Sequence, residues 1–140
     1  MTIVLDNNTI NLITFFENFT GVTVKDCIVD EETNTVYFLV EEGKIGLAIG
    51  KNGVNVKSVE KAINKKVKLI EFSSDVCKFI KNLIPKANDI SIKNDHEKRI
   101  VEIKVEKNEK PSVIGRDKRK LKIMEEILRR NYKFDELIVR

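Results

Sequence analysis

Ile45-Gly46-Leu47-Ala48-Ile49-Gly50-Lys51-Asn52-Gly53-Val54 is the stretch on which the reading of this chain turns. A short apolar segment runs into Gly-Lys-Asn-Gly, and an apolar helical pattern leads out of it. Two glycines three apart allow a tight turn between two helices and leave no side chain to keep another backbone away. The amides at the start of the outgoing helix then point outward as anion donors. Lys51 adds a charge and Asn52 a hydrogen-bonding amide. Two glycines at this spacing also occur in ordinary loops, where the lysine is merely solvated. Apolar helices on both sides, a basic outgoing helix and a second copy downstream set this turn apart.

The second copy is Val113-Ile114-Gly115-Arg116-Asp117-Lys118-Arg119-Lys120-Leu121-Lys122-Ile123-Met124. A shift of 65 residues lays Ile49-Gly50-Lys51 over Ile114-Gly115-Arg116, and Lys57 over Lys122. The same shift lays Val56, Val59 and Ile63 over Leu121, Met124 and Leu128, positions three and four apart on one apolar helix face. Shared turn and shared face together indicate an internal duplication. The copy departs at Lys118, which stands where the first turn closes on Gly53.

The 140 residues, 41% hydrophobic and 34% charged, suffice for one compact domain or two small ones. The repeat favours two, residues 1–72 and 73–140, expected to share an interface because each is marginal alone. No Gly/Ser- or Pro-rich linker separates them, so free tumbling is not expected. No apolar run approaches the ~20 residues that span a bilayer. Met1-Thr2-Ile3-Val4-Leu5-Asp6 lacks the basic region and apolar core of a signal peptide. The expectation is a cytoplasmic protein with no membrane partner. Cys27 and Cys77 form no CxxC pair and read as buried free thiols rather than a disulfide, Cys77 on a helix pattern with Val76, Ile80 and Leu83. No ligand set has the spacing of a zinc site, so neither metal nor cofactor is expected.

The net charge of +4 is unevenly spread. Residues 1–40 hold one basic and six acidic residues, residues 41–72 seven and four, residues 73–110 nine and seven, and residues 111–140 nine and five. Positive charge thus collects around both turns and their outgoing helices, the footprint expected for a nucleic-acid surface. Lys61, Lys65 and Lys81 read instead as solubilising charges. The acidic first third is a poor nucleic-acid surface; facing a protein is one reading, and simple balance of the basic face is the preferred one.

Along the chain, Thr9 to Phe19 reads as a helix capped by Asn7 or Asn8 and ended by Gly21. Strands follow over Val22 to Val29 and Thr35 to Val40, joined by an acidic turn. A short helix from Lys44 to Ile49, the glycine turn, a helix from Val54 to about Asn64 and a strand from Lys66 to Phe72 close the first half. The second half repeats this order. Ser74 or Asp75 caps a helix to Ile84, stopped by Pro85. Strands at Asp89 to Lys93 and Arg99 to Glu106 flank a turn at Asn94–Glu97. Pro111 opens a short helix to Ile114. After the Gly115–Lys118 turn come a helix from Arg119 to Arg130 and a strand from Glu136 to Val139.

With helix, strand, strand, helix, turn, helix, strand in each half, the chain resembles a tandem pair of type II KH domains, the α+β pair found in the NusA family of transcription factors. Each domain is then a three-stranded sheet packed against helices. The resemblance covers essentially the whole chain and is carried by Ile49-Gly50-Lys51-Asn52-Gly53 with Val54, Val56 and Lys57, and by Val113-Ile114-Gly115-Arg116 with the helix to Arg130. It is to the short archaeal form, without the additional polymerase-binding and S1 domains of the bacterial relatives. The resemblance implies binding of single-stranded RNA in transcription elongation or termination, with RNA polymerase a further partner. A ribosome-associated KH protein binding ribosomal RNA is the alternative.

On that reading about four nucleotides lie beside each turn. The candidate RNA-binding residues are Lys44, Ile49, Gly50, Lys51, Asn52, Gly53, Val54 and Lys57 in the first half. In the second they are Gly115, Arg116, Asp117, Lys118, Arg119 and Lys122. Ile45, Ile49 and Val54 are expected to touch bases, and the lysines and arginines phosphates. Aromatic residues are sparse near both turns, so base stacking is not expected to dominate. Because Lys118 replaces the closing glycine, the first unit is expected to supply more grip than the second.

An enzyme is the rival class. Gly46 to Asn52 superficially resembles a phosphate-binding P-loop. It has three residues between its glycines where four are needed, and Asn52 where Ser or Thr belongs. His96, the one histidine, falls in a turn and reads as solvated. Glu31-Glu32, Glu41-Glu42 and Glu125-Glu126 are sequence neighbours whose side chains diverge, and read as solvated surface rather than acid–base pairs. No catalytic residue and no small-molecule substrate are expected.

Overall fold

In the computed structural model the described residues are Asn7 to Arg140, with side chains from Asn8 onward. The described chain divides between Ser74 and Asp75 into two compact units. The first contains α1 (Asn7–Thr20), β1 (Val24–Asp30), β2 (Thr35–Val40), α2 (Ile45–Ile49), α3 (Val54–Ile63) and β3 (Lys66–Glu71). The second contains α4 (Val76–Leu83), β4 (Asp89–Asp95), β5 (Lys98–Lys104), α5 (Lys110–Ile114), α6 (Arg119–Tyr132) and β6 (Glu136–Val139). A three-residue 3₁₀ turn, Lys51–Gly53 or Arg116–Lys118, joins the paired helices of each unit. Each sheet runs in sequence order, its central strand antiparallel to the strand before and parallel to the strand after. Two parallel strands need a crossover, and the helix–turn–helix supplies it. The turn is therefore held between two helices anchored at opposite ends to one sheet. This is the α+β architecture of two tandem type II KH domains.

Local chemistry explains the elements. β2 reads Thr-Val-Tyr-Phe-Leu-Val, and being central it is buried at every position but Tyr37. Its Val36, Phe38 and Val40 face a core of Leu12, Phe16, Val22, Cys27, Ala48, Val59 and Val67. Phe16 stacks on Phe38 with ring centroids 4.4 Å apart. Both rings are fully buried, each contributing about 1.5–3 kcal/mol through burial. In the second unit Phe79, Ile80, Val101, Ile103, Leu128, Phe134 and Leu137 are buried. There Phe79 meets Tyr132 at 4.6 Å and Arg99 lies 4.3 Å over Phe134.

The ends of the elements follow the expected chemistry with a few shifts. Gly21, at φ 73°, donates to Glu17 O and ends α1. Helix α1 starts at Asn7, which places Asn8 inside its first turn rather than at the cap; the Asn7 side chain and whatever precedes it lie outside the described residues. Of the two candidate caps for α4, Asp75 serves, accepting from Lys78 N–H. β4 and β5 run closer to the hairpin turn than the sequence pattern indicates, β5 ending earlier at Lys104, and leave a two-residue turn, His96-Glu97, with φ 48° and 71°. Two positive φ values in succession match the right-handed twist of a tight hairpin.

Two expectations need correction. Cys27 is buried, but Cys77 is exposed. At 100° per residue Cys77 lies about a third of a turn off the Phe79–Ile80–Leu83 face, so its sulfur misses the core. The adjacent glutamates are not all idle surface either. Glu60 Oε2 accepts from Val67 N–H at 2.9 Å, and Glu125 Oε2, 65 residues later, accepts from Leu137 N–H at 3.0 Å. Each carboxylate docks the helix that leaves the turn onto the last strand of its unit. Glu126 pairs with Arg129 and Arg130, and Glu42 accepts from Ser73. No helix among the described residues is long and apolar enough to cross a membrane.

Candidate nucleic-acid interface

The first turn is built from three left-handed or near-left-handed residues. Gly50 adopts φ 79°, ψ 167°, a region open essentially to glycine alone. Asn52 follows at φ 56°, ψ 27° and Gly53 at φ 75°, ψ 17°. A Cβ on Gly50 would lie 2.8 Å from Asn55 Cγ and 2.9 Å from Asn55 N. Gly50 is thus required by the protein itself, because α3 begins against its Cα. Asn55 seals the same junction, its Nδ2 donating to Leu47 O at 3.0 Å. Gly53 differs: a Cβ there would meet only Lys57 Cε, at 3.9 Å. Its requirement is conformational, and the space beside it is open.

The second turn has the same backbone. Gly115 adopts φ 78°, ψ 171°, Asp117 φ 55°, ψ 31° and Lys118 φ 60°, ψ 25°. A Cβ on Gly115 would fall 2.9 Å from Lys120 Cγ and 3.0 Å from Lys120 N, so this glycine too is held by its own outgoing helix. Lys118 takes up the left-handed conformation without a glycine, at a cost of roughly 1–2 kcal/mol. The departure in sequence is therefore no departure in fold.

Around the first turn lies an open hollow of about 570 Å³ lined by Lys51, Asn52, Val54, Lys57, Ser58 and Lys61. Positions 54, 57, 58 and 61 form one stripe of α3. No side chain caps the first turn of α3; its first amide, Val54 N–H, donates back to Lys51 O within the turn. Four of the eight candidates of the first half line this hollow; Gly50 and Gly53 frame it. Lys44 and Ile49 do not line it. Lys44 is exposed but precedes α2, a helix of about 7 Å away from the turn. Ser58 and Lys61 line the hollow as well, although the sequence does not single them out as contacts. Lys61 sits one helical turn beyond Lys57, a spacing that marks it in retrospect. Lys65 and Lys81 are tied down inside their own units, on Asn34 Oδ1 and Ala87 O.

The apolar rim also differs from expectation. Ile45 is half-buried and packs against the core. Leu47 is 55% exposed, Val54 53% and Ile49 37%. Ala48, Ile45 and the core share one side of α2, which turns Leu47 to the other. At the second turn Arg116, Asp117, Lys118 and Lys122 are exposed, while Gly115 and Arg119 are half-buried. Among the described residues no three metal-ligating side chains come together.

Comparison with known proteins fixes the kinship. A family model described as the KH domain matches residues 12–76, which take in the first sheet and the Gly50–Gly53 turn. A probable transcription termination protein NusA of Methanocaldococcus jannaschii is 35% identical over 127 residues, spanning 89% of this chain and 68% of that protein. The chain belongs to the NusA family. A probable transcription termination protein NusA of Halococcus morrhuae aligns over 98% of both chains at 27% identity. The crystal structure of APE1850 superposes with a TM-score of 0.79 at 33% identity, covering 97% of this chain and 100% of that one.

Proposed function

We propose that this NusA-family chain binds single-stranded RNA across two KH grooves and acts on nascent transcripts in transcription elongation or termination, beside RNA polymerase. The two domains are taken as residues 1–72 and 73–140, each presenting one turn. The observation that carries the reading is the first turn itself. Its backbone is left-handed, its closing position is open to an approaching strand, and the uncapped start of α3 stands beside exposed Lys51, Lys57 and Lys61. A phosphate seated there meets the Asn52 side-chain amide and cations together, while Leu47 and Val54 offer apolar surface to the attached bases. The names of the curated relatives support placing this binding in transcription.

The test is a double variant, Lys51→Asp with Asn52→Asp, which sets two negative charges where phosphate is expected. Both side chains are exposed, so the thermal melt should not move. Affinity for a single-stranded RNA oligomer should fall at least tenfold. Unchanged affinity with an unchanged melt would remove the turn from the binding surface. Crosslinking the RNA bound in cells distinguishes nascent transcripts from ribosomal RNA.

A further inference from the structure

The two turns share a backbone but not a surface. Under the 65-residue shift, exposed Leu47 becomes Ser112 and exposed Val54 becomes Arg119, while Ile49 is matched by the half-buried Ile114. Residues 51–57 carry two basic side chains and no acidic one; residues 116–122 carry five basic and one acidic. Lys118 adds a cation at the closing position, in a conformation that L side chains rarely adopt. Apolar surface beside the first turn is therefore replaced by charge and hydroxyl beside the second.

We propose, resting on the RNA-binding reading above, that the two domains recognise different parts of the strand. The first discriminates bases through Leu47 and Val54. The second is a phosphate clamp, indifferent to base identity, built on Arg116, Lys118 and Lys122. Apolar contact with a base edge or face depends on which base is present and is insensitive to salt. Cation–phosphate contact carries no sequence information directly and weakens as salt displaces it. The larger share of grip expected of the first domain then belongs to high salt, where the clamp is screened.

The experiment uses the full chain and three single-stranded RNA probes of about 12 nucleotides, oligo-U, oligo-A and oligo-C, titrated from about 0.05 to 0.5 M salt. Each phosphate contact on a single strand contributes about −0.7 to the slope of log affinity against log salt. Arg116→Gln/Lys118→Gln/Lys122→Gln should lessen that slope by about 2 and keep the ranking of the three probes. Leu47→Ser/Val54→Ser should keep the slope, lose roughly tenfold in affinity for the preferred probe at 0.5 M salt, and level the ranking. Thermal melts check that both variants fold. A wild-type chain that binds all three probes equally, or two variants that alter slope and ranking alike, overturns the division of labour and leaves RNA binding standing. A wild-type chain that binds none of the probes overturns the RNA reading itself.

Discussion

Replacing Gly50 and Gly53 one at a time with alanine separates the two reasons a glycine can be needed. At Gly50 the penalty has two sources. Its φ 79°, ψ 167° costs an L residue on the order of 1–3 kcal/mol, and the new methyl would sit 2.9 Å from the backbone nitrogen of Asn55, which cannot rotate away. Together these amount to roughly 3 kcal/mol. At Gly53 the angles are left-handed helical and the nearest atom is the end of a lysine side chain at 3.9 Å. Alanine there costs about 1–2 kcal/mol, reduced by the smaller conformational freedom of the unfolded chain. In a domain of this size 1 kcal/mol moves Tm by about 4–8 °C. Calorimetry of the full chain should therefore show the first domain melting at least ~12 °C lower in Gly50→Ala, and only a few degrees lower in Gly53→Ala. Equal shifts, or a harmless Gly50→Ala, would refute the argument that the first glycine serves the protein's own packing and the last one only the backbone angle.

Three further outcomes are expected. Lys118→Gly removes a side chain from a left-handed position and should raise the melting temperature of the second domain, measured in the same calorimeter, while weakening RNA binding at low salt. Gly53→Asp should cost more RNA affinity at ~0.5 M salt than Lys118→Asp, measured by titration after both are shown to fold; the reverse order would make the second turn the main grip. Lys93 and Arg140 hydrogen-bond the carboxylate of Glu102 and hold its pKa below the ordinary value. The stabilisation from this trio is present above the unfolded-state pKa and is lost as pH falls through the lower folded one, so an NMR titration should place Glu102 below the ordinary glutamate value.

Much of the architecture is written in periodicity. β-branched and aromatic residues over Thr35–Val40, the 65-residue echo of Ile-Gly-basic and the three–four spacing of Val56, Val59 and Ile63 suffice to lay out both domains. What escapes is phase in short elements. α2 has five residues, under one and a half turns, so nothing in its sequence distinguishes Ile45, which packs on the core, from Leu47, which faces solvent. Cys77 was misplaced for a related reason: one step around α4 separates the core face from its flank. The left-handed backbone at Lys118 escapes for a different reason. Sequence shows that glycine is missing, but only the structure shows that the turn closes regardless, held by the close packing of Gly115 against Lys120.

Corresponding residues of the two turns agree in φ and ψ to within about 15°, although only the leading glycine is shared between them. Such a pair behaves as an interchangeable part. Lys51-Asn52-Gly53 can be grafted into the second domain, and Arg116-Asp117-Lys118 into the first, without asking either scaffold to adopt a new conformation. The molecule thus carries its own donor and its own control. A chimera with two copies of either cassette changes the chemistry presented at one mouth while the frame behind it stays constant, a comparison that unrelated proteins seldom permit.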